Sequence, residues 1–301
     1  MDPTMAWATD TGLERIRHMT RWTPDGPLDL TEAAHLRDAR GFSPSLRRYA
    51  PPAALADVVR RFWVPVWSLP DGEVSVQRVL QYPVCQVVVG PDGGQLVGPH
   101  SGLSTQELAG RGWVVGAMMQ PAAGLALAGG PVVALTNERR DLADIAALDG
   151  AGLVAAVGAA LGAEPAAVER QQEACALVAE ALAALLPADD EGRLVNAVVE
   201  YVEGDREVQR VGQVCAKFDL GERALQRLLR RRIGLSPKWL IQRRRLHDAA
   251  DLLRAGASVD LARVAADLGY ADQAHFTRDF RAVTGLTPGE FSAEPAGPDR
   301  G

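Results

Sequence analysis

Four side chains near the middle of the C-terminal half have the types and spacing to read DNA bases. Arg223, Gln226, Arg227 and Arg230 recur at steps of three and four, so on a helix they form one stripe. Leu225 and Leu229 fall on the opposite side. Arginine and glutamine are the side chains that form paired hydrogen bonds to guanine and adenine edges in the major groove. Further along, Gln273, His275, Thr277 and Arg278 occupy the first turns of a second expected helix, with Asp272 placed as its N-cap. Base readers of this kind present their N-terminal turns to the groove.

Charge supports contact with phosphate. The chain carries a net charge of -6, yet residues 205–292 hold 16 Lys and Arg against 11 Asp and Glu. Between residues 221 and 245, nine basic residues face one acid, Glu222. Such a patch is the electrostatic footprint of a nucleic-acid binder. Arg230, Arg231, Lys238, Arg243, Arg244 and Arg245 are the expected phosphate contacts.

The elements that must hold these stripes are repeated. Residues 211–232 and 261–282 each read as a short helix, a tight turn and a longer helix. Cys215 and Ala265 are the small residues where the helices cross. Each unit ends in Gly-Leu-x-Pro, at Gly234–Pro237 and at Gly285–Pro288, the pattern of a helix end. Two helices joined by a short turn form a helix-turn-helix. Residues 237–254 read as one connecting helix, which would span roughly 27 Å. That is near the ~34 Å of one DNA turn.

These residues resemble the AraC/XylS-type double helix-turn-helix. The likeness runs through VAADLGYADQAHFTRDFRAVTGLTPGEF from Val264 and through ALQRLLRRRIGLSPKWLIQRRRL from Ala224. The resemblance implies that Arg223, Gln226 and Arg227 read bases from the first unit, and Gln273, His275, Thr277 and Arg278 from the second. This chain departs from the family at Gly221, where serine commonly starts the first reading helix. Glycine is a weaker N-cap by a few tenths of a kcal/mol.

Before the helices, residues 53–121 alternate β-prone runs with turn signals, as in a small antiparallel sandwich or barrel. The expected strands are 58–67, 73–80, 83–90, 94–99 and 112–120. A short helix is expected around Leu30–Ala39. Ala- and Leu-rich runs from Asp141 to Glu203 read as helices, with Pro165 in a first turn and Pro187 as a stop. Residues 49–148 resemble the cupin-like domain of some AraC-type regulators, on YAPPAALADVVRRFWVPVW, RVLQYPVCQVVV and VVGAMMQPAAGLAL. That resemblance implies a sensing or dimerising role. Trp63, Trp67, Tyr82, Trp113 and Met118 are the candidate effector contacts, either as a flat apolar pocket or as plain sandwich core.

The expected fold class is α+β: an N-terminal antiparallel β sandwich or barrel, a helical connector and an all-α double helix-turn-helix. The expected divisions are a partly disordered extension (1–48), a cupin-like domain (49–148), a connector (149–192) and a DNA-binding domain (193–293). Cys85, Cys175 and Cys215 are isolated, so a cysteine zinc site is not expected. His18, His35 and His100 form no metal-ligand cluster, and neither metal nor cofactor is expected. No P-loop, nucleophile elbow or HExxH occurs, so catalysis is not expected. No eighteen-residue apolar run and no leader pattern occur, which points to a cytoplasmic chain with no membrane partner.

The expected function is a sequence-specific transcription regulator that binds double-stranded DNA in two successive major grooves. A small hydrophobic or aromatic effector, RNA polymerase and a second copy of the chain stay open as further partners. Three alternatives stay open with it: an N-terminal half that only dimerises or docks a protein, a fused DNA-repair enzyme, and a thiol redox sensor.

Overall fold

The computed structural model describes residues 35–36, 42–80, 82–255 and 260–293. Ten strands are seen among them: β1 (His35–Leu36), β2 (Ser45–Tyr49), β3 (Val59–Ser68), β4 (Val74–Leu80), β5 (Gln86–Gly90), β6 (Gly93–Val97), β7 (Leu103–Ala109), β8 (Arg111–Trp113), β9 (Val115–Met119) and β10 (Arg139–Asp141). They form two antiparallel sheets. The smaller has the order β1-β4-β7, and the larger β10-β6-β5-β9-β3-β2, with β8 also paired to β3. The sequence reading missed β7, whose residues LSTQELA carry little β-prone character. Strand β2 begins at Ser45, so the sheet starts ahead of the boundary expected at residue 49. His35–Leu36 forms a strand on β4 where a helix was expected, and covers that open edge. The rest of residues 30–39 lies outside the described residues, as does most of the extension.

The larger sheet has two unlike faces. Side chains on β3 alternate, so Phe62 and Val64 point one way and Arg61 and Trp63 the other. The first face packs Phe62, Val64, Val87, Val89 and Ala117 against Leu153, Val157, Cys175, Val178 and Leu182. Those last five come from a helical hairpin, α2 (Gly150–Leu161) and α3 (Val168–Leu182), which follows the short α1 (Gly124–Ala128). Asp149 caps α2 by accepting from Gly152 N at 3.0 Å. Helix α3 starts at Val168, so Pro165 precedes it instead of standing in its first turn; the Pro165 carbonyl accepts from Gln171 Nε2 at 2.7 Å.

The second face looks at the smaller sheet: Arg139 on β10 donates to Gln106 on β7 at 3.5 Å. The space between the sheets is polar. Ser75 and Gln77 on β4 are buried, whereas Val74 and Val76 are exposed at 39% and 38%. This inverts the usual alternation, in which the apolar set turns inward.

The C-terminal helices are α4 (Asp190–Gly204), α5 (Val211–Phe218), α6 (Glu222–Arg232), α7 (Pro237–Ala255), α8 (Leu261–Asp267), α9 (Gln273–Thr284) and α10 (Pro288–Ala293). Helix α4 crosses the boundary expected at residue 193. Its Val195, Val198, Val199 and Val202 join the core of the first unit. No helix among the described residues is long and apolar enough to cross a membrane.

Candidate nucleic-acid interface

Each helix-turn-helix unit has its own core. In the first, Val214 of α5 meets Leu225, Leu228 and Leu229 of α6 and Leu240 and Ile241 of α7. In the second, Val264 and Ala265 of α8 meet Phe276 and Phe280 of α9 and Leu246, Ala250 and Leu253 of α7. Edge-to-face ring contacts at 5.6 Å (Phe276–Phe280) and 5.3 Å (Phe280–Phe291) fill the second core. These cores turn the polar stripes outward.

The turns are set locally. Asp219 takes a left-handed conformation (φ 51°) that ends α5, and Gly221 starts α6 with no side-chain cap. Asp260 caps α8 through Ala262 N at 2.9 Å, and Asp272 caps α9 through His275 N at 2.7 Å. Gly234 (φ 72°) and Gly285 (φ 77°) close the two reading helices. A left-handed residue at that place is the common helix stop.

On α6, Arg223, Gln226, Arg227 and Arg230 are exposed, while Leu225 and Leu229 are fully buried. Glu222 accepts a 3.2 Å hydrogen bond from Gln226 Nε2, which pre-positions that amide along the stripe. On α9, Gln273, His275 and Arg278 are exposed and Thr277 is half-buried. His275 packs edge-on against Tyr270 at 5.2 Å and lies 3.7 Å from Asp279. Lys238, at the start of α7, is exposed.

Three expected phosphate contacts are corrected. Arg243 and Arg244 are buried, with 3% and 5% exposure, and Arg245 is half-buried. Arg244 donates to the Val208 carbonyl at 2.8 Å and pairs with Asp248 at 2.8 Å. Arg245 donates to the Gln209 carbonyl at 3.0 Å. Burial pushes the Arg243 guanidinium down to about 10. Their helix is enclosed by both units and by the N-terminal domain, so its basic residues turn inward. Arg231 stays exposed, with Glu191 at 3.5 Å.

Sequence reasoning missed Arg232. It is buried at 3% and pairs with Asp189 at 2.5 Å and Glu191 at 2.7 Å. The Arg232 hydrogen bond holds the Asp189 carboxyl below the usual range. Its place in an arginine run hid it; only its position on the Leu225–Leu229 side of α6 marked it as inward. Beside this latch a cleft of about 650 Å³ opens, lined by Leu125, Pro131, Leu185, Pro187, Arg231 and Arg232. Further contacts tie the first unit to the N-terminal domain. Thr136 Oγ1 donates to the Gly234 carbonyl at 3.1 Å, and Trp239 Nε1 to the Ser101 carbonyl at 2.9 Å.

The candidate effector residues do not converge. Trp63 and Met118 lie on the face toward the small sheet. Trp67 lies on that face near its rim, packed on Gly112, and donates to the Ala109 carbonyl at 3.2 Å. Trp113 pairs with Val66 and joins the core on the opposite face. Tyr82 leaves the sheet and stacks on His247 of α7 at 4.9 Å. Cys85 and Cys175 are buried, and burial pushes both thiols up, Cys85 to about 12. Neither has the depressed pKa of a reactive thiol. No metal-binding group of His, Cys, Asp and Glu is found among the described residues.

Two exposed polar stripes on paired, repeated two-helix units define a helix-turn-helix DNA-binding protein. Residues 214–294 match a family model described as a helix-turn-helix domain, and residues 47–141 match a domain of unknown function (DUF6597). A probable AraC family transcriptional regulator from Rhodopseudomonas palustris is 30% identical, over 33% of this chain and 94% of that one, with a TM-score of 0.29. The C-terminal domain of AraT, a response regulator from Geobacillus stearothermophilus, is 18% identical over 38% of this chain and 94% of its own, with a TM-score of 0.33. An apo ToxT variant from Vibrio cholerae is 12% identical over 77% of this chain and 97% of its own, with a TM-score of 0.42. No curated protein matches. The chain belongs to the AraC family of DNA-binding transcription regulators.

Proposed function

We propose that this regulator reads two successive major grooves on one face of DNA, with α6 in one and α9 in the next. The observation that carries this is the pair of solvent-facing stripes, Arg223–Gln226–Arg227–Arg230 and Gln273–His275–Arg278, joined by one continuous helix. Helix α7 has 19 residues, or roughly 28 Å of axial rise. Arg223, Gln226 and Arg227 face base edges from the first unit. Gln273, His275, Thr277 and Arg278 do so from the second, and Arg230, Arg231 and Lys238 lie along phosphate. Selection of genomic fragments on the purified protein at two salt concentrations tests the reading. Enriched sites with two base blocks about one turn apart support it. Sequence-blind, salt-sensitive binding refutes it.

The N-terminal domain, in this reading, holds a small effector between its two sheets. The support is the polarity of that space. Gln77 and Gln86 are buried along it, and the Trp63 indole N–H is buried with no hydrogen-bond partner among the described residues. An unmet buried donor is costly, and a ligand acceptor would satisfy it. The effector is therefore polar, with an acceptor for Trp63, and not the purely apolar molecule that the tryptophans suggested. Thermal shift against a panel of small polar metabolites tests this, since a ligand of the folded state raises Tm. A panel without any stabiliser, in the presence and absence of DNA, leaves dimerisation or protein docking as the role of this domain.

A further inference from the structure

Helix α7 carries three consecutive arginines, which fan out toward the bodies around it. Successive helix positions turn by about 100°, so Arg243, Arg244 and Arg245 fan out around the axis. Arg243 faces the N-terminal domain. Its guanidinium lies 5.6 Å from the Trp239 ring, whose Nε1 donates to Ser101 of that domain at 2.9 Å. One turn on, His247 stacks on Tyr82 at 4.9 Å. Arg244 faces the first unit, donating to the Val208 carbonyl in the loop before α5 at 2.8 Å. Arg245 bridges that loop to the second unit. It donates to Gln209 O at 3.0 Å, and its guanidinium lies 5.7 Å from the Tyr270 ring centre.

The two units otherwise keep separate apolar cores, with no buried residue in common. Their mutual angle therefore depends on α7, on this polar seam and on the N-terminal domain, which meets the first unit at Gly234 and Trp239 and the second at Leu103. The seam is close-fitting: a Cβ at Gly269, just before Tyr270, would lie 2.6 Å from the Gln209 side-chain oxygen. A guanidinium suits the place, because its planar fork can hold a carbonyl and lie over a ring at once. One turn before Arg245 on the same side of α7, Gln242 donates to Asp279 of α9 at 2.7 Å and adds a second strut.

We infer that Arg243, Arg244 and Arg245 form a three-way junction that fixes the spacing of the two reading helices and ties it to the N-terminal domain. The inference rests on the two-groove reading. These arginines are positioning residues, acting on DNA through the geometry of α6 and α9. Linked readers gain avidity only when both engage at once, so a small change in their separation shows as a change in the preferred operator spacing.

The test uses the full-length protein and a selected fragment with two base blocks. Variants of the fragment carry one base pair more or less between the blocks, or have one block scrambled. The wild type is expected to prefer the natural spacing by about tenfold or more. Arg245→Met removes the donors and keeps the apolar stem. Its preference is expected to fall to within about threefold, with unchanged affinity for one-block DNA and an unchanged salt slope. Retention of the wild-type preference overturns the inference. So does an equal loss on every fragment with a salt slope lower by about one, which marks a phosphate contact. Arg245→Lys keeps one donor and is expected to lose part of the preference. Should Arg245→Met fail to fold, a wild-type preference in Arg245→Lys overturns the inference instead. A wild type indifferent to spacing overturns the two-groove reading itself.

Discussion

Replacing Arg244 separates a structural arginine from a DNA contact most sharply. The side chain is 5% exposed and makes two strong interactions, with the Val208 carbonyl at 2.8 Å and with Asp248 at 2.8 Å. Arg244→Met keeps the stem packed and deletes the guanidinium. The Val208 carbonyl loses this donor, and an unmet buried acceptor costs about 1–3 kcal/mol. Asp248 is itself mostly buried, with 13% of its side chain exposed, but it keeps Arg206 at 3.3 Å. Breaking a buried pair outright costs about 3–5 kcal/mol, and the remaining arginine reduces that. Together the loss should be about 3 kcal/mol. With a urea dependence of about 1–3 kcal/mol per molar, the unfolding midpoint should drop by roughly 1–3 M. Tryptophan fluorescence in urea measures it, and DNA titration at two salt concentrations runs beside it at a temperature where the variant is folded. There the salt slope should match the wild type. An unchanged urea midpoint with a shallower salt slope would refute the inward placement of Arg244 and return it to the phosphate backbone.

Other perturbations reach the remaining parts of the site. Arg227→Ala should leave the urea midpoint unchanged and weaken binding to the selected operator by about 1–3 kcal/mol, relaxing one base position; an equal loss on all DNA would make Arg227 a phosphate contact. Gly234→Ala and Gly285→Ala both force a left-handed residue with a side chain, at about 1–2 kcal/mol each. Only at Gly234 does the new Cβ meet a close neighbour, Thr136 Oγ1 at 2.3 Å, against Leu103 Cδ2 at 3.6 Å for Gly285. Gly234→Ala should therefore lower Tm more, and equal melting points would mean that Thr136 yields freely. The Asp189–Arg232 latch gives a pH expectation. Its carboxyl is depressed by the Arg232 hydrogen bond, so its stabilisation is present above the ordinary carboxylate value of about 4 and is lost as pH falls through the lower folded value. Protection of the Ala188–Arg193 segment in hydrogen exchange, corrected for intrinsic rate, should be flat from pH 8 to 5. A transition inside that range would assign the latch to another group.

The parts of this molecule that could be read from sequence are those in which one residue type has one physical use. Gly-Leu-x-Pro at Gly234 and Gly285 closes both reading helices, and Asp272 caps α9. The apolar spacing of Leu225 with Leu229 and of Phe276 with Phe280 placed two cores and turned two stripes to solvent. Where one residue type has several uses, spacing alone failed. Arginines 230 to 232 and 243 to 245 read as one basic surface, yet their exposure runs from open at Arg230 to 3% at Arg232 and Arg243. Helical phase within each run decides it, because positions 100° apart cannot share an environment. In the small sheet the sequence pattern is uninformative in another way. An apolar set usually takes the inward side of a half-buried strand, but on β4 Val74 and Val76 are exposed and Ser75 and Gln77 are buried. A strand turns its polar set inward when the enclosed space must bind something polar or remain wet. The same inversion separates the tryptophans: strand parity sends Trp63 toward that space and Trp113 to the helical side, although both read as one apolar cluster. In both regions the misplaced residues are those bordering a second body, the N-terminal domain against α7 or one sheet against the other, and such neighbours are set by tertiary packing that no local period records.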